Sequence, residues 1–415
     1  MLLLHYASRA GLHVRATTIS SVPSLQEGDV RHTFCRRQQR NEALSECRYS
    51  HDEGLPDLDK RVIYLDQFAV SELYKTKSKT RKPGAAHEKF WQDCYAAANR
   101  AYLRQQVIFP ISNLHADETI VWHSPEELRL AHEMFSGETS LERTEVIAAE
   151  QEWQFAEAYI KKQPAPAISF NVDDILTGER NVWLPVFHIN VNSNMSIFAP
   201  GIRSDRATAE ASLQDLADQW AQKKPTFDEV LKHELNAYGP AMRQALVAQI
   251  KRNEAAMASN DPSSVLQLSF NLINRYQQLT DLFIKSGTPR NAAFNEVLKF
   301  LDWPENHFQP AHRIFAYLFA ALAWRISSGQ RTAMKASILN DFNAIATYAP
   351  FVDAMFVDRQ CASLLTQGRL RSEISYRAKI FSMNDPNAFI GYLDDISEQA
   401  PPEIVMLSKD LYGAT

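Results

Sequence analysis

The strand-like segments of this chain fall into two groups, separated by about two hundred residues of helical texture, and that spacing limits the folds open to it. In the first group, residues 61–65 are a β-branched and aromatic run ending at Asp66, and residues 67–74 continue with helical spacing. An alanine-rich helix is then expected over 87–105 and a strand over 106–111, with Ser112 as N-cap of a helix carrying Glu118. In the second group, a helix over 338–349 ends at Pro350, followed by a strand over 354–357, a helix over 359–367, a strand over 379–382 and a helix over 386–396. Strands alternating with helices imply an α/β fold with a parallel sheet. The two groups must combine into that one sheet, so the helical run between them is an insertion.

This divides the chain into 1–59, 60–123, 124–337 and 338–415. The first piece carries Arg36, Arg37 and Arg40 with no periodic apolar pattern and reads as a poorly ordered extension. The insertion opens on Ser124-Pro125-Glu126-Glu127, a capping residue, a proline at the first helical position and a glutamate completing the box. Helices are expected over 227–258, 262–285, 291–301 and 310–327, and a loop or small hairpin within 168–203. Trp153, Trp220, Trp303 and Trp324 at helical positions read as core of a cap packed on the sheet.

Composition removes several classes. The 415 residues are 45% hydrophobic with a net charge of −5, so any nucleic-acid surface must be local rather than a global basic field. Cys35, Cys47, Cys94 and Cys361 lie far apart without CxxC spacing, which argues against a disulfide framework or zinc module and for a reducing cytoplasm. The longest apolar stretch, 314–324, falls short of the roughly 20 residues a membrane span needs. Neither GxGxxG nor GxxxxGK[ST] occurs, which disfavours the common nucleotide-binding folds.

What remains is a set of acids at strand–helix junctions. In a parallel sheet, ligands bind beyond the carboxyl ends of the strands. Asp66 directly follows one strand, and Asp358 follows another. Glu118 lies six residues past Ser112, less than two turns into its helix and near the same edge. A helix descending from Asp341 and a strand climbing back to Asp358 are of similar length, so these two acids meet at the top. Asp353 is left about 16 Å away at the strand's start, which favours a structural role and makes it a secondary candidate. Carboxylates gathered on one sheet edge form a hard-oxygen site for Mg²⁺ or Mn²⁺, the equipment for phosphodiester hydrolysis. A phosphoaspartyl hydrolase would need a second aspartate two residues after Asp66, where this chain has Phe68.

The ordered pattern Leu65-Asp66, Ser112 with Glu118, Asn340-Asp341 and Val357-Asp358 resembles the PIN (PilT N-terminus) nuclease family, as does the string YAPFVDAMFVDR from Tyr348 to Arg359. The resemblance implies a Rossmann-like αβα sandwich whose acids Asp66, Glu118, Asp341 and Asp358 bind one or two Mg²⁺ or Mn²⁺ ions and activate water against a phosphodiester. RNA is the substrate it implies, and by analogy a toxin or defence effector held by an inhibitor or regulatory protein.

Lys75, Lys77, Lys79, Arg81 and Lys82 form the densest basic run, either a loop tracking substrate phosphates or an ordinary solvated loop. Arg359 is placed to neutralise the acids or to meet a phosphate, the former being favoured. The insertion is expected to restrict access, select substrate or receive a partner. The competing reading is a weakly catalytic PIN-like scaffold that binds nucleic acid or protein, with its acids serving as helix caps.

Overall fold

The computed structural model describes residues 55–82, 84–121, 125–136, 139–183, 199–259, 271–330 and 334–413. Strand β1 (Arg61–Leu65) lies inside a four-stranded, all-parallel sheet with β2 (Val107–Ile108), β3 (Ala354–Phe356) and β4 (Lys379–Phe381), in the order β2-β1-β3-β4. At its centre Ile63 pairs with Ala354, Tyr64 with Met355 and Leu65 with Phe356. The two groups of strand-like segments thus meet in adjacent strands. β2 is shorter than the expected strand over 106–111. Pro110 has no N–H, and Phe109 donates to the Phe135 carbonyl instead of to a neighbouring strand.

The helices are α1 (Gln67–Lys77), α2 (Glu88–Leu103), α3 (Asn113–Val121), α4 (Pro125–Ser136), α5 (Thr144–Ile160), α6 (Ala199–Lys223), α7 (Phe227–Asn236) and α8 (Tyr238–Ala258). They continue with α9 (Asn271–Lys285), α10 (Arg290–Leu301), α11 (Pro310–Ser327), α12 (Ser337–Tyr348), α13 (Arg359–Leu365), α14 (Gly368–Glu373), α15 (Pro386–Glu398) and α16 (Pro402–Tyr412). Among the described residues no helix is long and apolar enough to cross a membrane.

Successive strand residues point to opposite faces, and here both faces are covered. Ile63, Leu65, Val107, Ala354 and Phe356 join a core with Leu73 of α1, Phe90 and Trp91 of α2, Phe135 of α4 and Phe389 of α15. Val62, Tyr64, Ile108 and Met355 face a second core with α11, α12 and α13. Helices thus lie on both sides of the sheet. The last helix of the insertion, α11, is apolar nearly all round and buried from Ile314 to Ala323, packed in the same core as Phe342 of α12 and Trp220 of α6. Within the insertion, α5, α8, α9 and α10 build a separate core around Phe155, Leu246, Phe283 and Phe300.

Three expectations need correction. The helix expected over 227–258 breaks at Ala237 into α7 and α8, and Pro240 sits in the first turn of α8, where the N–H groups have no intrahelical acceptor to lose. Gly239 is required there by close approach, since a Cβ would lie 2.5 Å from Asp302 Oδ1 and 2.6 Å from the Leu301 carbonyl oxygen. Trp324 is 47% exposed, whereas Trp220 is core. Order begins before residue 60: Leu55 and Leu58 pack with Trp183 and Ile404, and the buried Lys60 donates from Nζ to the Val182 carbonyl at 2.6 Å. The remainder of the expected extension, 1–54, lies outside the described residues, as do Ser124 and the greater part of the expected helix start at 262.

Candidate functional site

The carboxyl ends of β1 and β3 lie side by side, because the Asp66 N–H continues the ladder by donating to the Phe356 carbonyl at 3.0 Å. Asp66 then enters α1, and Asp358 caps α13 by accepting the Cys361 N–H on Oδ1 at 2.5 Å. Asp341 comes from the second turn of α12. Donor atoms of Asp341, Asp358 and Cys361 all lie within 4.8 Å of one another. Glu118, from α3, is held by Asn340, whose Nδ2 donates to Glu118 Oε1 at 3.1 Å. That bond ties α3 to α12 one residue before Asp341.

The acids act on one another. Burial, then the charges of Glu118 and Asp358, push the Asp66 carboxyl up to about 8. Burial, then Asp66, Asp358 and Glu118, push the Asp341 carboxyl well above the usual range. Among the described residues no lysine or arginine forms an ion pair with either of them. The Tyr64 hydroxyl beneath is raised by burial and by the charges of Asp66, Asp341 and Glu118, together with the Tyr348 ring partner.

Ser112 and His115 form a reciprocal cap at the start of α3. Ser112 Oγ accepts the His115 N–H at 3.3 Å, and His115 Nδ1 accepts the Ser112 N–H at 3.2 Å. The imidazole is stacked between Tyr64, at 5.0 Å, and His132, at 4.6 Å, and its burial holds it down to about 4. It is neutral near pH 7, and its role there is to anchor the helix that carries Glu118.

Asp353, the secondary candidate, sits at the opposite end of β3. Its Oδ2 accepts the Val62 N–H at 2.9 Å, and its Oδ1 meets Arg377 at 2.5 Å and Arg61 at 3.5 Å. It staples the amino ends of the two central strands and is remote from the other acids.

The basic residues divide. Lys75 Nζ pairs with Glu72 at 2.7 Å, and Arg81 pairs with the same carboxylate while its guanidinium lies over Trp91. Arg81 is therefore a brace that folds the segment back onto α1, a correction to its reading as a phosphate contact. Lys77, Lys79 and Lys82 are exposed. Arg359 also departs from its favoured reading: the exposed guanidinium turns to His87 Nε2, at 3.3 Å, and makes no ion pair with the acids.

The sequence reading passed over Cys361, because cysteine spacing was weighed for pairing and zinc modules alone. The signal available was its position three residues after Asp358, the offset at which a helix brings a side chain back over its own N-cap. No family model, curated protein or solved structure matches this chain.

Proposed function

We propose that this protein is a metal-dependent nuclease with a PIN-like site, acting on RNA as an endoribonuclease. The observation that carries the reading is the meeting of Asp66, Glu118, Asp341 and Asp358 at the carboxyl end of a parallel sheet, where among the described residues no lysine or arginine pairs with Asp66 or Asp341. The buried Asp353 and Glu152 are each paired with arginine, so uncompensated carboxylates gathered at one sheet edge fit a site that gains its positive charge from a ligand.

The hard oxygen donors fit Mg²⁺ or Mn²⁺, held by these four acids. When bound, such an ion lowers the pKa of water and polarises a phosphoryl oxygen. The chain's own contribution is placement. The strand ends fix Asp66 and Asp358, Asn340 fixes Glu118, and the enclosure of the cluster strengthens every charge interaction within it. Lys77, Lys79 and Lys82 are the exposed cations available to meet the phosphates of a strand approaching over α1.

The test is incubation of RNA and of single-stranded DNA with Mn²⁺, comparing wild type with Asp66→Asn. Cleavage of RNA by the wild type and background cleavage by the variant is the expected result. Equal activity of the two proteins, or none from either, overturns the assignment.

A further inference from the structure

The acid cluster contains a donor that its hard-oxygen description leaves out. Cys361 is fully buried and lies with its sulfur within 4.8 Å of donor atoms of both Asp341 and Asp358. Its position is fixed twice over: its N–H is bound to the Asp358 carboxylate, and its helix packs into the core through Leu364 and Leu365. The other described buried thiol, Cys94, provides an internal comparison. It sits among Phe90, Trp91 and Ala98 in a purely apolar setting, whereas Cys361 has two carboxylates beside it.

A second observation points to a ligand there. Asp341 is half-buried beside the other acids, and among the described residues its carboxylate meets no cation and no hydrogen-bond donor. A carboxylate left this way must be neutralised, either by a proton or by a cation that completes its surroundings. Donors around one ion at bond lengths of about 2.0–2.3 Å stand roughly 3.5 Å apart, so small side-chain rotations bring these three onto one ion.

We propose that Cys361, Asp341 and Asp358 form a mixed sulfur–oxygen cation site that takes a thiophilic divalent ion of the cobalt and zinc class in preference to Mg²⁺. The proposal rests on the metal-site reading given above and deepens it. Thiolate ligands select later transition metals, while Mg²⁺ demands oxygen and keeps its water. On binding, the thiol proton leaves to solvent and the sulfur lone pair forms the bond to the ion.

Cobalt(II) is the probe, because a sulfur–cobalt bond gives a near-ultraviolet charge-transfer band that oxygen ligands do not. The full chain is used in a Cys35→Ala, Cys47→Ala background so that no thiol outside the described residues contributes, and Co²⁺ and Mg²⁺ affinities are measured by titration and competition. The expected result is a charge-transfer band that disappears in Cys361→Ser and Cys361→Ala and persists in Cys94→Ser. Cobalt affinity should fall roughly tenfold or more in the Cys361 variants, with Mg²⁺ affinity little changed. Far-ultraviolet circular dichroism of both Cys361 variants checks that each is folded. Cobalt binding without the band, equal in wild type and in a folded Cys361 variant, overturns the thiol's role and leaves the carboxylate site standing. Failure of the wild type to bind Co²⁺, Mn²⁺ or Mg²⁺ overturns both.

Discussion

The two ends of β3 use the same residue type in opposite ways. At the amino end Asp353 is surrounded by the Val62 N–H, Arg377 and Arg61, so its charge is met on every side. At the carboxyl end, five residues later, Asp358 belongs to a group of acids that meet mainly one another. The insertion repeats the first pattern: Glu152, 1% exposed, is held by Arg275 and by the Tyr238 hydroxyl at 2.6 Å. Charge compensation holds at Asp353 and Glu152, and among the described residues the acid cluster lacks it. Compensated carboxylates fix architecture, and uncompensated ones repel one another until a proton or an outside cation neutralises them.

Removing a compensated charge should have the largest effect. Glu152→Gln leaves Arg275 enclosed without its partner and should lower unfolding free energy by about 3–5 kcal/mol, read from urea denaturation. A stable Glu152→Gln protein would break the contrast.

The opposite sign is expected at the cluster. Asp66 has a folded-state pKa near 8 against 3.8 when free, so its neutral form supports the fold fully below about pH 4, and that support is lost as pH rises through about 8. Metal-free wild type should thus lose thermal stability from pH 5 to pH 9, more steeply than Asp66→Asn. At pH 8 Asp66→Asn should be the more stable by on the order of 1–3 kcal/mol, since one pKa unit corresponds to about 1.4 kcal/mol. Adding Mn²⁺ should raise the melting temperature of wild type and leave the variant nearly unmoved.

Asp353→Asn should cost less than Glu152→Gln, about 1–2 kcal/mol, because Arg61 and Arg377 are half in solvent and the amide oxygen can still accept the Val62 N–H. RNA cleavage per folded molecule should be retained, which separates the two ends of β3 by function. The smallest effects sharpen the division of the basic run. Arg81→Ala should cost about 1 kcal/mol, whereas Lys77→Ala, Lys79→Ala and Lys82→Ala should each stay within about 0.5 kcal/mol. If the exposed lysines meet phosphate, the triple lysine variant should weaken RNA binding and flatten its salt dependence.

Much of the sheet was legible because its strands are short apolar runs ended by a single polar residue. Residues 61–65 and the junction at Asp66 are bounded as the alternation requires, and so is the descent from Asp341 to Pro350. Less legible was anything decided by a partner distant in sequence. Arg81 looked free because Glu72 lies nine residues away across a turn. The break at Ala237 was hidden because apolar spacing continues through it and Gly239 answers to Leu301 and Asp302, more than sixty residues on. Within 106–111, only the position of Phe135 reveals where the Phe109 N–H goes. Helix α16 was missed because the pattern was followed no further than residue 396.

The placement of β1 beside β3 has a consequence for timing. The Val62–Asp353 bond spans 291 residues, and both central strands are needed to bring Asp66 against Asp358. A growing chain emerges amino end first, at roughly 5–20 residues per second, so the first acid leaves the ribosome many seconds before its neighbours. Helices α5, α8, α9 and α10 of the insertion can pack around their separate core in that interval. The acid cluster, by contrast, comes together only after β3 and Asp358 have emerged, so its chemistry appears long after its first acid has been made.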